Sequence, residues 1–323
     1  MKPKILVDFK EELFDEDALK MLTFIADVRF QPIPEERFLE EHRDAVAIIA
    51  DGLKVDKMRL DMAPKLKIVA VFGVGYNHVD VEECTRRGIY VTNTPGALSD
   101  AVADLVIGFM LCLARHILKV DEYVRKEWAK GERTLPLGVS LSGKKIGIIG
   151  MGRIGFEVAK RAKSFGMDIL YTDIIRREDA ELQFGAKRME LEELLREADF
   201  VTIHVPLTNK TRGLIGRKEL SLMKKTAFLI NTSRGAVIDQ KALTEFLKEK
   251  RIAGAGLDVF EPEPIPLDDP LLQLDNVVLS AHRAWATFEA RKRMAITDAE
   301  EILRVLRGER PLNIVPEQIG RVP

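Results

Sequence analysis

Residues 144–155 read KKIGIIGMGRIG, with glycines at 150, 152 and 155 directly after a short apolar run. The run predicts a buried strand, and RIGFEVAKRAKSFG from Arg153 onward has helical periodicity, so the glycines fall at a strand-to-helix turn. There a pyrophosphate can meet free backbone N–H groups and the positive end of a helix. Gly150 allows the tight turn, Gly152 lets the backbone approach the phosphates, and Gly155 lets helix pack on strand, with Arg153 and Ile154 in the same loop. Eighteen residues past Gly155, the strand DILYTD ends in Asp173, whose carboxylate would accept hydrogen bonds from ribose hydroxyls. Asp173 would repel a 2′-phosphate, which favours NAD(H) over NADP(H), although Arg176 and Arg177 could each reach such a phosphate. A glycine turn without ligand is the bland alternative, and only the rest of the chain decides.

Beyond this stretch, short β-branched runs alternate with charged amphipathic segments. KILVDF, AVAIIA, KIVAVFG and IYVTNTP occupy the first hundred residues; KIGIIG, DILYTD, FVTIHVP, AFLINTS, AGLDVF and NVVLSAH follow. The alternation predicts an α/β protein with two doubly wound parallel sheets, separated by an apolar helix from about Ser99 to Lys126. A single helical pattern, ATFEARKRMAITDAEEILRVLRG, follows the last strand and cannot be a domain alone, so it is expected to return to the first. The expected division is residues 1–98 with 287–323 as a substrate domain, and 99–286 as a Rossmann domain for NAD. A cleft between them would be the default ligand site.

The chain has 323 residues, 46% of them hydrophobic, and fifty basic against fifty-one acidic side chains. Near-neutral charge gives no general reason to expect nucleic acid or an anionic membrane as partner. The longest apolar run, LVIGFMLCLA, is about half a membrane span, and the N-terminus lacks the apolar core of a signal sequence. Cys84 and Cys112 have no metal or disulfide spacing, so no metal site is expected and the cytoplasm is the expected compartment.

Reduction of a carbonyl by hydride needs a cation to orient the substrate, an acid to protonate its oxygen and a partner to tune that acid. Arg234 at the end of AFLINTSRG, Asp258 and Glu263 in AGLDVFEPEP, and His282 at the end of NVVLSAH all fall on the carboxyl side of predicted strands. Taken singly, each could be a surface ion pair or a helix-end residue.

Seven segments together resemble the D-isomer-specific 2-hydroxyacid dehydrogenase family, in its order and over nearly the full length: VFGVGYNHVD, VTNTPGALSDAVAD, GKKIGIIGMGRIG, HVPLTNKTRGLIG, LINTSRGAVID, AGLDVFEPEP and NVVLSAHRAWAT. The resemblance implies that Arg234 holds the substrate's carboxylate and carbonyl oxygen, that Glu263 hydrogen-bonds and tunes His282, and that His282 protonates the carbonyl oxygen. It implies that backbone amides near Val74 and Gly75 bind the carboxylate, that Asp258 meets the nicotinamide carboxamide, and that Pro206, Thr211 and Thr232 line the cofactor cleft. The family's proline before the histidine and apolar residue after it are here Ala281 and Arg283. Loss of the proline could loosen the loop, while Arg283 either faces solvent or, turned inward, favours a second anionic group.

RAWATFEAR resembles the glycerate dehydrogenase and hydroxypyruvate reductase branch, where Trp285 would close a small pocket, or else serve as domain-interface core. The expected reaction is NADH-dependent reduction of glyoxylate or hydroxypyruvate, with D-3-phosphoglycerate dehydrogenase as the alternative. A non-catalytic corepressor of the same fold is the remaining reading, and no disordered tail supports it. The helix DAVADLVIGFMLCLARHI fits a homodimer contact, which the family commonly forms, or burial in its own core.

Overall fold

The computed structural model describes residues 2–131 and 135–322. The chain divides into two compact units, Met1–Leu98 with Ala286–Pro323, and Ser99–Trp285. Both are built on parallel sheets, so the fold is the expected pair of doubly wound α/β domains.

In the first unit, β1 (Lys4–Val7), β2 (Asp27–Phe30), β3 (Ala45–Ala50), β4 (Ile68–Val71) and β5 (Tyr90–Thr92) lie in the order β2-β1-β3-β4-β5. This is the flavodoxin-like order. Strand β3 is almost wholly buried, as a run of AVAIIA must be when helices cover both faces of a sheet. Strand β2, DVRF, is a partly exposed edge strand whose charges hid it from a reading based on apolar runs. The Phe288–Leu306 helix belongs to this unit. It packs on β4 and on the Glu16–Ile25 helix, its N-terminus is capped by Thr287, whose hydroxyl accepts the Ala290 N–H at 3.1 Å, and Lys292 pairs with Asp17 at 2.6 Å.

In the second unit, β6 (Lys145–Ile149), β7 (Asp168–Thr172), β8 (Lys187–Arg188), β9 (Phe200–Ile203), β10 (Phe228–Asn231), β11 (Gly254–Leu257) and β12 (Val277–Leu279) lie in the order β12-β11-β10-β9-β6-β7-β8. The strand order reverses between β6 and β9, the Rossmann switch point, and the 150–155 turn leaves β6 there. Strand β8 is two exposed basic residues, too short to leave a periodic signal.

The apolar segment read as one helix is two, Ser99–Arg115 and Ile117–Lys126, bent by 59°. His116 between them has φ 52°, which ends a right-handed helix. The first of the pair supplies core rather than surface: Phe109, Met110 and Leu113 are buried against β10, β11 and the Arg153–Ser164 helix. Gly256 of β11 sits where a Cβ would lie 2.8 Å from the Phe109 side chain, so helix and sheet close on a bare backbone. Each such aromatic or large aliphatic side chain contributes about 1.5–3 kcal/mol through burial. Among the described residues no single helix is long and apolar enough to cross a membrane.

Candidate active site

The three glycines of the β6 turn answer to different constraints. A Cβ on Gly155 would lie 2.2 Å from the Gly150 carbonyl oxygen, and one on Gly150, itself at φ +94°, would lie 2.9 Å from the backbone of His204. Packing alone demands these two. Around Gly152 no atom lies within 4 Å of where a Cβ would be. Gly152 is also the N-cap of the Arg153–Ser164 helix and has no side chain to satisfy the first-turn N–H groups of Arg153 and Ile154. An open approach to uncapped amides is what a pyrophosphate requires, so these residues fit a dinucleotide.

Asp173, at the end of β7, accepts the Met151 N–H at 2.7 Å with one carboxylate oxygen and the Ile175 N–H at 2.9 Å with the other, which pins the glycine turn from beside. The arginines beyond it are engaged: Arg176 with Glu181 at 2.7 Å, and Arg177 with Asp179 at 2.6 Å. Farther along, Thr211 donates its hydroxyl to the Pro206 carbonyl at 2.6 Å and accepts the Thr208 N–H at 2.8 Å, so it staples the loop that carries Pro206. Thr232 is buried, and its hydroxyl has no hydrogen-bond partner.

Three adjacent parallel strands, β10, β11 and β12, deliver the ionisable residues to one edge of this sheet. Arg234 follows β10. Its turn is shaped by buried Asn231, whose side-chain oxygen accepts from the N–H and hydroxyl of Ser233 while its amide donates to the Arg234 carbonyl at 2.9 Å. The next residue, Gly235, passes so close to the backbone of Phe260 that a Cβ would overlap its carbonyl, which brings the Arg234 turn onto the loop after β11.

That loop carries Glu263. One of its oxygens accepts the Phe260 N–H at 2.8 Å, and the other lies 2.8 Å from Nδ1 of His282. Burial pushes the Glu263 carboxyl up, but hydrogen bonds from His282 and Phe260 and the charge of Arg234 outweigh it, so the net shift is down. Burial lowers the Arg234 guanidinium, and the negative charge of Glu263 opposes that shift. With Nδ1 donating to Glu263, the imidazole is oriented and Nε2 is left to carry a proton elsewhere.

Asp258 takes a place inside the second unit. It is fully buried, and its two carboxylate oxygens accept the N–H groups of Arg283 and Ala284 at 2.8 and 2.9 Å. The geometry makes it an anchor of the His282 loop. This anchoring also answers the missing proline at Ala281. Arg283 is exposed and lies 5.6 Å from the ring of half-buried Trp285.

In the first unit, the turn after β4 holds Val74 and Gly75. Thr94 donates its N–H to the Gly73 carbonyl at 2.9 Å, and the Asn93 amide donates to the Val74 carbonyl at 2.9 Å. Among the described residues the N–H groups of Val74 and Gly75 have no protein acceptor. Asn93 and Asn231, which shape these turns, carry only a weak sequence signal. Each is an Asn at the end of a β-branched strand, a known turn-making position.

Residues 107–284 match the family described as D-isomer specific 2-hydroxyacid dehydrogenase, NAD binding domain. The chain is 52% identical over 279 residues to a glyoxylate reductase of Korarchaeum cryptofilum, covering 86% of this chain and 83% of that protein. It is 46% identical to a glyoxylate reductase of Thermococcus litoralis, covering 99% and 98%. Its fold is similar to the NADPH-dependent glyoxylate/hydroxypyruvate reductase of Sinorhizobium meliloti solved with NADP and malonate, with a TM-score of 0.85, 32% identity and 98% coverage of each chain.

Proposed function

The chain belongs to the D-isomer specific 2-hydroxyacid dehydrogenase family and is an oxidoreductase acting on CH–OH groups; from that premise we propose that it reduces glyoxylate or hydroxypyruvate to the D-2-hydroxyacid, with NADH as donor. The observation that carries the reading is the 2.8 Å contact between Glu263 and Nδ1 of His282, with the charge of Arg234 helping to hold the same carboxyl down.

The nicotinamide cofactor, when bound, supplies the hydride. Gly152, Arg153, Ile154 and Asp173 are the residues assigned to hold it, with Pro206 and Thr232 beside them. The amides of Val74 and Gly75 are assigned to the substrate carboxylate. The Arg234 guanidinium polarises the carbonyl with its rigid fork of donors. Nε2 of His282 gives its proton to the carbonyl oxygen, and the Glu263 carboxylate stabilises the imidazolium before that transfer. In the oxidation direction His282 takes the proton back. Asp173 and the ion-paired state of Arg176 and Arg177 support NAD(H) over NADP(H).

Exposed apolar side chains along residues 117–139, among them Ile117, Leu118, Trp128 and Leu137, support a homodimer. Sedimentation of the wild type against Trp128→Glu tests it.

Initial rates with NADH and NADPH against glyoxylate, hydroxypyruvate, pyruvate and phosphohydroxypyruvate test the reaction. Preference for one of the first two with NADH supports the reading; preference for phosphohydroxypyruvate makes the chain a phosphoglycerate dehydrogenase, and silence on all four favours a non-catalytic role. Arg234→Ala and His282→Ala should each cut kcat/KM by orders of magnitude and leave NADH binding nearly intact.

A further inference from the structure

Glu263 sits on a stretch that packing does not hold. Glu261, Pro262, Glu263 and Pro264 are all exposed, whereas Asp258, Val259 and Phe260 before them are buried. Pro262 and Pro264 offer no N–H, and the Phe260 N–H is taken by the Glu263 side chain itself. Among the described residues, the hydrogen bond that ties residues 260–264 to another element, besides the one from Glu263 to His282, runs to Gln240. Its side-chain oxygen accepts the Glu261 N–H at 2.9 Å.

Gln240 is itself fixed. It is the first residue of the Gln240–Lys248 helix, whose N-terminus Asp239 caps by accepting the Ala242 N–H at 3.1 Å. Its NH₂ donates to one oxygen of Asp269 at 3.0 Å, and the other oxygen of Asp269 accepts the Leu271 N–H at 2.8 Å. A side-chain amide between a carboxylate and a backbone N–H has one satisfying orientation, donor to the first and acceptor from the second.

The start of this helix is also tied to Arg234. The short turn Gly235–Val237 joins them, with the Val237 N–H donating to the Arg234 carbonyl at 3.2 Å and the Asp239 N–H to the Ile215 carbonyl at 3.0 Å. Asn231, which shapes the Arg234 turn, and Gln240 border one narrow cleft with Gly235, Leu257 and Val259. Residues 234–240 therefore carry Arg234 at one end and, at the other, the amide that holds the Glu263 stretch.

Resting on the 2-oxoacid reading above, we propose that Gln240 is a positioning residue for the reaction: through the Glu261 N–H it fixes the stretch that sets Glu263 against Nδ1 of His282. No bond is made or broken at Gln240. Its amide keeps the Nδ1 proton on the side of Glu263, which leaves Nε2 for the carbonyl oxygen.

Single-turnover oxidation of bound NADH by saturating glyoxylate, with steady-state KM beside it, tests this role. Gln240→Ala should slow turnover about tenfold, part of the hundredfold that a misplacement near 1 Å costs. Arg234 keeps its own hold through Asn231, so KM for glyoxylate and NADH affinity should stay within about twofold. In the Glu263→Gln background the same change should cost about twofold or less, because its effect passes through that carboxylate. Gln240→Glu keeps the acceptor but sets a carboxylate against Asp269; combined with Asp269→Asn, which turns that side into a donor, it should recover turnover to within about twofold of the wild type. The His282 tautomer, read from two-bond ¹H–¹⁵N spectra in alkaline solution, should be Nδ1–H in the wild type and shift toward Nε2–H in Gln240→Ala. An unchanged rate in Gln240→Ala, an equal loss in the Glu263→Gln background, or an unchanged tautomer would overturn the proposal. A wild type that turns over no 2-oxoacid would instead overturn the parent reading, and the tautomer alone would then decide the role of Gln240.

Discussion

The carbonyl of Asp258 accepts the backbone N–H of His282 at 2.7 Å, and the Asp258 carboxylate accepts the next two N–H groups, of Arg283 and Ala284. One buried residue thus holds three consecutive amides. They keep His282 at φ 54°, a left-handed conformation that costs a non-glycine residue about 1 kcal/mol.

If Asp258 acts by holding this loop, Asp258→Ala should lower kcat by about a hundredfold, the scale of a misplacement near 1 Å. Asp258→Asn, which retains one acceptor, should cost less. Amide hydrogen exchange at Arg283 and Ala284 should accelerate in both. Slow exchange with low activity would mean that Asp258 acts elsewhere.

Glu263→Gln keeps the shape and the contact with Phe260 but removes the charge opposite His282. It should reduce kcat by about 10²–10⁴ in the reducing direction. Because the folded-state pKa of Glu263 lies below its ordinary value, its contribution to stability is present above the ordinary carboxylate range and is lost as pH falls through the depressed value. Thermal melts from pH 3 to 6 should therefore show a shallower acid slope in the variant than in the wild type.

Gly152→Ala and Gly155→Ala should separate binding from folding. A methyl at 152 meets no protein atom, so the melting temperature should stay near the wild-type value while NADH affinity drops at least tenfold. A methyl at 155 collides with the Gly150 carbonyl, so stability should fall by about 1–3 kcal/mol or more. Calorimetric titration and melts read both.

Asp173→Ser removes a carboxylate that repels a 2′-phosphate and that also pins Met151. The NADPH to NADH ratio of kcat/KM should rise about tenfold or more, with both values falling in absolute terms. An unchanged ratio would remove Asp173 from cofactor selection.

Asp298, on the Phe288–Leu306 helix, is fully buried and neither carboxylate oxygen has a hydrogen-bond partner. Burial, then the charges of Glu301 and Asp51, push its carboxyl well up. The folded chain therefore holds a proton that the unfolded chain releases, and stability from this residue falls as pH rises from about 4 toward the folded value. Asp298→Val should remove that slope and raise stability near neutral pH by about 1–3 kcal/mol, as denaturant melts across pH would register.

The amino-acid sequence by itself determined which segments become strands and helices, because buried parallel strands are continuous apolar runs and the covering helices keep a 3.6-residue period. It placed Arg234, Glu263 and His282 at strand ends for the same reason. Tertiary structure alone decided what those ends do to one another. The bare backbone of Gly235 against Phe260, the buried oxygens of Asp258 on the His282 loop, and the division of the three glycines between packing and an open approach all depend on distances between segments far apart in the chain. Edge strands β2 and β8 were hidden likewise, since pairing along one side lets charged residues stand where an interior strand requires apolar ones. Periodicity reports the face a residue turns to the core, and it carries no information about which neighbour waits there.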